Sequence, residues 1–193
     1  MTSRMNIDEF MSNFKGGGAR PNRFYVDMTI PALAGQNTPL RFLCKAASIP
    51  GSTIGNIDVP YMGRQFKVPG DRTFAEYTIT ILNDVDFKLR YAFEAWMSAI
   101  NTHIGNKHLK TGNRLNMKEL MATMEVNQLG RDDTIIAKYL IKDAYPTDLA
   151  AIDLAWDSND AVEEFTVTLQ YQYWESIPTI TVDAGDSSTI ITQ

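Results

Sequence analysis

The sequence contains one cysteine, Cys44, and only two histidines, His103 and His108, in 193 residues. A lone cysteine excludes an internal disulfide, and so few sulfur and imidazole groups cannot build a metal framework. The two histidines stand five residues apart in an expected loop, a spacing that does not place two ligands on one helix face. We therefore expect no metal site, and we interpret Cys44 as a buried structural thiol.

Long apolar runs and catalytic motifs are also missing. No apolar stretch approaches the roughly 20 residues of a membrane-spanning helix, so we expect no stable membrane insertion. No Gly-X-Ser-X-Gly elbow occurs, and the acid pairs Asp132-Asp133 and Glu163-Glu164 fall where neighbouring carboxylates point in different directions. Residues 16–18 are three glycines with no Lys-Ser/Thr after them, which favours a linker over a phosphate loop. The sequence predicts no catalytic residue and no cofactor, and we interpret it as a structural protein, not an enzyme.

Charge is distributed unequally along the chain. Residues 1–75 hold nine Lys/Arg against five Asp/Glu, whereas residues 76–193 hold nine against eighteen. Residues 146–193 contain nine acids and no Lys or Arg. An acidic C-terminal half is poorly suited to binding nucleic acid, because phosphate binding needs neutralising cations. It suits head-to-tail contact between identical subunits, or a surface past which a polyanion slides; a solvated acidic exterior is the alternative.

Alternation of apolar and polar residues predicts several strands and a single helix. The helix is expected over residues 85–102, capped by Asn83 or Asp84, with a core-facing stripe. This pattern favours a mainly β fold of two packed antiparallel sheets, a sandwich or barrel, with one flanking helix. We expect residues 1–19 to form an arm and glycine linker, 20–175 the domain, and 176–193 an extension. The predicted strands are 24–30, 40–46, 77–81, 121–128, 135–144, 150–156 and 162–173, and the helix stripe is Val85, Leu89, Ala92, Phe93, Trp96 and Ile100.

The segment 48–70 combines turn residues with many large apolar side chains. Its glycines and prolines predict a long hairpin with its tip at residues 61–63. A protruding two-stranded hairpin cannot cover both of its faces, and each wet apolar side chain forfeits about 1.5–3 kcal/mol. A partner is therefore expected to cover it; the alternative is that the hairpin folds back over the sandwich.

Val68-Pro-Gly-Asp-Arg-Thr-Phe74, followed by residues 77–84, is the most distinctive of several segments spread over about residues 20–175. In these segments, and in their order, the chain resembles the tail tube proteins of contractile-tailed bacteriophages. The connection at 31–39, the loop at 101–116 and the tail after Trp174 are longer than expected for the family. The other matching segments are Arg20-Pro-Asn-Arg-Phe24, 42–50, Tyr145-Pro-Thr147, 154–159, and 165–169 with Tyr173-Trp-Glu175.

The resemblance implies hexameric rings that stack into a hollow tube inside a contractile sheath and conduct DNA into the host. It implies a homo-oligomer with tail sheath, baseplate and tail terminator proteins as partners. The tape measure protein and genomic DNA would occupy the lumen, and the location would be the virion tail, assembled in the host cytoplasm. The alternative is the inner tube of a type VI secretion or phage-derived contractile injection system. A monomeric small-ligand-binding β-barrel is a different class, and a hydrolase would need a nucleophile that the sequence does not show.

Two sets of residues are assigned to assembly on this basis. The polar alternate positions of the last long strand are candidates for lining the lumen, and the rival assignment turns them outward toward the sheath; they are Thr166, Thr168, Gln170 and Gln172. The hairpin is expected to reach the adjacent ring, with an inter-ring interface comprising Ile54, Ile57, Val59, Tyr61, Met62, Arg64, Phe66, Asp71 and Arg72.

Overall fold

A computed structural model describes residues 7–14, 18–31, 40–105, 117–157 and 159–178. The predicted mainly β fold with packed antiparallel sheets and a flanking helix is confirmed. The helices are α1 (Ile7–Asn13), α2 (Leu40–Leu43), α3 (Lys88–Ile100) and a 3-10 helix (Met117–Leu120). The strands are β1 (Phe24–Met28), β2 (Cys44–Ala46), β3 (Thr53–Tyr61), β4 (Arg64–Thr73), β5 (Tyr77–Leu82), β6 (Ala122–Leu129), β7 (Ile135–Leu149), β8 (Glu164–Gln170) and β9 (Tyr173–Ile177).

One long strand, β7, belongs to both sheets. Its first part, residues 135–144, pairs with β6 and β9, and β6 pairs in turn with β1. Its last part, residues 145–149, pairs with β8, which continues through β5 to β2. Asp143 adopts a positive φ of 54° at the changeover, a conformation that bends the strand. We call the β1-β6-β7-β9 layer the first sheet and the β7-β8-β5-β2 layer the second sheet.

The path of strands curls almost into a barrel. Its ends, β1 and β2, approach each other because α2 leads directly into β2 and also contacts β1. The Arg41 guanidinium lies 4.0 Å from the centre of the Tyr25 ring and 4.0 Å from the Asp27 carboxylate. A cation over an aromatic face is attracted by its quadrupole, so this contact helps to hold the two ends together.

The core lies between the inner faces of the two sheets and is closed at one side by α3. The alternation predicted through residue 173 is confirmed for residues 165–171, since Phe165, Val167 and Leu169 are buried, whereas Tyr173 begins β9 and is 42% exposed. Phe93 of α3 packs edge-on against Phe165, with ring centroids 6.5 Å apart. Trp96 is fully buried and donates a hydrogen bond of 2.6 Å to the carbonyl of Leu120. Trp96 is therefore packed in the core, and its polar N–H group has a hydrogen-bond partner.

Several predicted boundaries are wrong. The helix begins at Lys88, not residue 85, because Phe87 adopts a left-handed φ of 54° and Val85 is 93% exposed in the preceding turn. The Asp84 carboxylate accepts a hydrogen bond from the Val85 N–H, so it organises that turn and does not cap the helix. Residues 40–43 are helical, and the strand predicted for residues 40–46 is reduced to β2.

Two further strand predictions are corrected. Residues 150–156 form no strand; the chain continues β7 as far as Leu149 and then becomes irregular. The strand predicted for 162–173 divides at residues 171–172 into β8 and β9. Parts of the expected arm, the 31–39 connection, the 101–116 loop with His108, and the 176–193 extension lie outside the described residues. Within the described part of the chain, no helix combines the length and apolarity needed to cross a membrane.

Candidate assembly surfaces

The β3–β4 hairpin turns where the sequence predicts. Met62 and Gly63 occupy its tip with φ values of 46° and 78°. Two consecutive residues of positive φ form the turn whose twist matches that of antiparallel strands. Gly63 adopts this conformation without strain, whereas Met62 is a residue that rarely does. The turn places the two strands in the register that pairs Tyr61 with Arg64.

That register gives the hairpin two chemically different faces, because directly paired residues of an antiparallel ladder point to the same side. Ile57 pairs with Val68, and Val59 pairs with Phe66. These four residues and Tyr61 make one continuous apolar face, which we call the apolar hairpin face. Arg64, paired with Tyr61, lies at its outer end.

The opposite hairpin face is polar. Asp58 pairs with Lys67, and the Lys67 ammonium lies 3.9 Å from the Asp58 carboxylate. Asn56 donates a hydrogen bond of 3.2 Å to the same carboxylate. Gln65 lies on this side, opposite Pro60. The polar groups of this face therefore already have partners, and the face is suited to contact with solvent.

The base of the hairpin separates three of the predicted interface residues, Ile54, Asp71 and Arg72, from the rest. Alternation along β3 places Ile54 on the side of Asn56 and Asp58. An irregularity in β4 pairs Arg72 with Ile54 and so turns Arg72 to the same polar side. Asp71 lies in that irregularity, where the strands approach closely; a Cβ atom on Gly55 would stand 3.3 Å from the Asp71 carbonyl oxygen. The nine predicted interface residues thus divide between the apolar face with Arg64, the tip residue Met62, and the base.

The apolar hairpin face is largely exposed to solvent. Tyr61 and Phe66 are each 68% exposed, and Ile57 is 54% exposed. The alternative in which the hairpin folds back over the sandwich is therefore not what the chain adopts. Contiguous apolar side chains of this kind mark interaction surfaces, since monomeric proteins rarely leave them in water.

Three contacts anchor the root of the hairpin to the body. Pro50 is buried, the Tyr77 hydroxyl donates a hydrogen bond to the Ser48 carbonyl, and the Trp174 indole N–H donates a 3.1 Å bond to the Gly51 carbonyl. Burial raises the pKa of the Tyr77 hydroxyl well above its usual range, so it remains a donor. A rigid root positions the projecting hairpin relative to both sheets.

Cys44 lies near this root as a half-buried residue of β2. Burial raises the pKa of its thiol to about 11, and its sulfur lies 3.6 Å from the carbonyl oxygen of Ala46. A thiol with such a pKa is inert at neutral pH. Within the described ranges, no group of three or more His, Cys, Asp or Glu side chains is placed to hold a metal ion.

The predicted lumen residues are brought together only in part. Thr166, Thr168 and Gln170 form a row on the outer face of the second sheet, opposite the buried row of β8. Thr166 and Thr168 pair with Thr80 and Thr78 of β5, which widens the polar surface. Gln170 donates a 3.0 Å hydrogen bond to Glu76. The surface is therefore polar and carries a carboxylate, in place of the uncharged row expected from β8 alone.

Gln172 departs from this row. It lies at the bend between β8 and β9, where its backbone N–H donates a 3.1 Å hydrogen bond to the Lys142 carbonyl. Its surroundings are Ile100, Leu120, Met121 and Tyr145. The residue lines a cleft beside α3 and does not extend the threonine row.

The second sheet also presents open strand edges. In the described residues, β2 pairs only with β5, and residues 145–149 of β7 pair only with β8. An unpaired edge is a template for pairing with another chain. The two edges lie on opposite sides of one sheet, so one copy can in principle extend the next.

An exposed apolar cluster beyond β7 was not singled out from the sequence. Leu154 is 80% exposed, and Trp156 and Val162 are also exposed. They line a groove of about 910 Å³ whose remaining described lining is Lys45, Leu82, residues 151–153 and 155, and residues 161, 163 and 164. The signal available was Trp156 in a segment rich in acids, which the sequence analysis wrongly predicted as a strand.

The fold is similar to that of solved components of contractile injection assemblies. A chain of the PVC extracellular contractile injection system, in the sheath-tube complex in the extended state, matches with a TM-score of 0.62 at 15% identity, covering 87% of this chain and 97% of that one. A chain of the anti-feeding prophage tube-terminating cap matches with a TM-score of 0.61 at 16% identity, covering 84% and 92%. The chain thus has the mainly β fold found in this class of structural proteins.

Sequence comparison gives the family. The model of the family described as phage tail tube protein matches residues 19–177. Tail tube protein gp19 of Enterobacteria phage T4 is 36% identical over 173 residues, covering 89% of this chain and all of the relative. The tail tube protein of Serratia phage KSP90 is 27% identical over 170 residues, covering 86% and 93%. This chain belongs to the phage tail tube protein family, whose members are structural proteins and not enzymes.

Proposed function

We propose that this protein is the tail tube subunit of a contractile phage tail. Hexameric rings stack into a hollow tube inside the sheath, and the tube conducts the genome into the host. The observation that carries the proposal is the projecting hairpin, whose apolar face is left in water by the isolated chain. Membership of the tail tube family supplies the assembly in which such a hairpin would be covered.

Lateral closure of the ring uses the open edges of the second sheet. Pairing β2 of one subunit with residues 145–149 of the next satisfies both edges by backbone hydrogen bonds. Six four-stranded sheets then make one barrel of about 24 strands. At a spacing of about 4.8 Å, the circumference is at least about 115 Å and the backbone diameter at least about 37 Å, which leaves room for a DNA duplex.

The outer face of the second sheet lines the channel in this arrangement. Thr166, Thr168 and Gln170 would face the lumen, with Glu76 beside them. Hydroxyl, amide and carboxylate groups do not neutralise DNA phosphates, so contact with them releases no condensed counterions. DNA therefore gains no electrostatic affinity for such a lining. A structure of the assembled tube that turns Thr166 and Thr168 away from the channel would exclude this lining. Gln172 lies beside α3, apart from the threonine row, and is not part of the proposed lining.

The other components follow from the same role. The sheath surrounds the tube, the baseplate and the tail terminator bound its two ends, and the tape measure protein occupies the lumen before the DNA. The location is the virion tail, assembled in the host cytoplasm. Fold similarity to components of extracellular contractile injection systems supports a phage-derived injection device as a second candidate. The relative with 36% identity is a phage tail protein, which favours the phage tail.

Stacking through the hairpin is tested by adding charge to its apolar face. Tyr61→Asp combined with Phe66→Asp is expected to leave soluble rings or monomers but no long tubes in negative-stain micrographs. Both side chains are exposed in the isolated chain, so folding should be retained. The matched control, Gln65→Asp with Lys67→Gln, changes the charge by the same amount on the polar face and should leave tubes intact. Tubes of normal length from the first variant would exclude the hairpin as the stacking element.

A further inference from the structure

The groove beyond β7 lies at the opposite end of the second sheet from the root of the hairpin. The hairpin returns to the body just before Tyr77, the first residue of β5, whereas Leu82, the last residue of β5, lines the groove. Five residue steps along a strand separate these ends by about 17 Å. The antiparallel neighbours agree, because Glu164 at the start of β8 pairs with Leu82 and also lines the groove. We call this site the end groove.

The end groove combines an apolar floor with an acidic rim. Leu154, Trp156 and Val162 supply exposed apolar surface, and Asp153 and Glu163 are among its acids. Glu164 is neutralised by an ion pair with Lys45, and Glu163 accepts a hydrogen bond of 3.0 Å from Asn83. The charge of Asp153, which is exposed, is the one best placed to meet a basic group from another chain.

We propose that the end groove receives the apolar hairpin face of a second copy of this chain. The inference rests on the proposed function and names the acceptor that ring stacking requires. Ile57, Val59 and Phe66 cover the apolar floor. Arg64, at the outer end of that face, meets Asp153 at the rim.

The position of the two surfaces supports this pairing. A heterologous contact, in which one surface of a subunit meets a different surface of the next, continues indefinitely only if the two lie on different parts of the molecule. The end groove and the hairpin root lie at opposite ends of the same strands. The nine residues of β3 extend about 30 Å, so the hairpin is long enough to contact a neighbouring subunit.

Charge complementarity favours the hairpin over helix α1 as the occupant of the end groove. Helix α1 carries exposed Ile7, Phe10 and Met11, but the chain from Ile7 to Asn13 contains acids and no basic residue. An acidic helix beside an acidic rim would be repelled. The apolar hairpin face carries the basic residue Arg64 at its outer end, so it is the complementary occupant.

A charge swap tests the pairing in the full chain. Arg64→Glu and Asp153→Arg should each raise the critical concentration for tube formation about tenfold, because each juxtaposes like charges. The double variant restores an opposite pair and should return the critical concentration to within about threefold of the wild type. A double variant that assembles no better than the worse single variant would overturn the proposal. Thermal unfolding of the unassembled chains checks that folding is unchanged.

Cross-linking gives a readout that does not depend on energetics. In a Cys44→Ala background, Arg64→Cys with Asp153→Cys should form disulfides between successive subunits on oxidation of assembled tubes. Denaturing gels would then show a ladder of oligomers, which each single cysteine variant would not give beyond a dimer. A groove cysteine that cross-links to Phe10→Cys and not to Arg64→Cys would assign the groove to α1 and overturn the proposal.

The two proposals fail in different ways. A wild-type chain that never forms tubes would contradict the proposed function itself. Tubes that depend on the hairpin, but show neither charge-swap rescue nor a ladder, would retain that function and refute only the end groove as acceptor.

Discussion

Replacing Phe66 with alanine separates the contribution of the apolar hairpin face to assembly from its contribution to folding. Phe66 is 68% exposed in the isolated chain, so its removal leaves no cavity. A phenylalanine presents roughly 200 Å², and covering about two thirds of that area at about 25 cal/mol/Å² stabilises a contact by about 3 kcal/mol. Alanine retains part of this area, so we expect a loss of about 2–3 kcal/mol for each hairpin contact.

This loss is measurable as a critical concentration. A difference of about 2–3 kcal/mol corresponds to a roughly 30- to 150-fold rise in the free subunit concentration at which tubes form. Sedimentation of tubes from dilution series gives that concentration directly. The free energy of unfolding of the unassembled chain should change by less than about 0.5 kcal/mol, since surface substitutions away from special contacts have small effects.

The matched control is Gln65→Ala, the neighbouring residue on the polar hairpin face. It removes a side chain from the same strand without removing apolar area, and the critical concentration should remain close to that of the wild type. Equal critical concentrations for the Phe66 variant and the wild type would refute burial of this face. A parallel rise in both variants would show that the hairpin's own stability, and not its apolar face, limits assembly.

Two further predictions concern folding. Because burial raises the pKa of the Cys44 thiol from an ordinary 9.0 to about 11, the unfolded chain loses this proton first, and the free energy of unfolding should fall between about pH 9 and 11. Urea titrations of Cys44→Ala should show a shallower fall, and curves parallel to those of the wild type would contradict this cause. Trp96→Phe removes the donor to the Leu120 carbonyl and part of a buried side chain, which should lower the free energy of unfolding by about 1–3 kcal/mol. The control Trp156→Phe alters an exposed ring and should change it by less than about 0.5 kcal/mol; equal losses would show that the buried hydrogen bond is not the cause.

Local patterns predicted the hairpin and the strands whose faces differ most. Gly63 marks a turn because its conformation is accessible to glycine, and residues 165–171 alternate because one face is buried and the other polar. These signals are contained in a few neighbouring residues. The sequence could therefore reveal the hairpin tip and the buried row of β8 without knowledge of the rest of the fold.

The errors arose where tertiary packing overrides the local pattern. The strand predicted to end at residue 144 continues through Pro146, because β7 changes sheets there and Pro146 is itself buried. Val85 has the spacing of a helix stripe, but the left-handed Phe87 delays the helix. The sequence did not predict which hairpin residues share a face. Their sides depend on the pairing register of β3 and β4, and an irregularity near Asp71 alters that register.

The end groove could not be predicted from local sequence patterns, because only the fold brings its lining residues together. It joins Lys45, Leu82 and residues 151–156 and 161–164, which lie far apart in the chain. Composition showed an acidic C-terminal half, but only strand pairing shows that part of it gathers at one end of the second sheet. Glu76, which belongs to no regular strand, is likewise placed by the fold beside the polar face of that sheet.

The separation of hairpin and groove along β5 gives any filament of this chain a direction. One terminus would display a circle of unoccupied hairpins and the other a circle of vacant grooves, so the two termini would grow at different rates. A nucleating complex must then imitate one surface and a capping complex the other. A single substitution such as Asp153→Arg would accordingly weaken elongation at one terminus while leaving the hairpins at the other available to unmodified subunits.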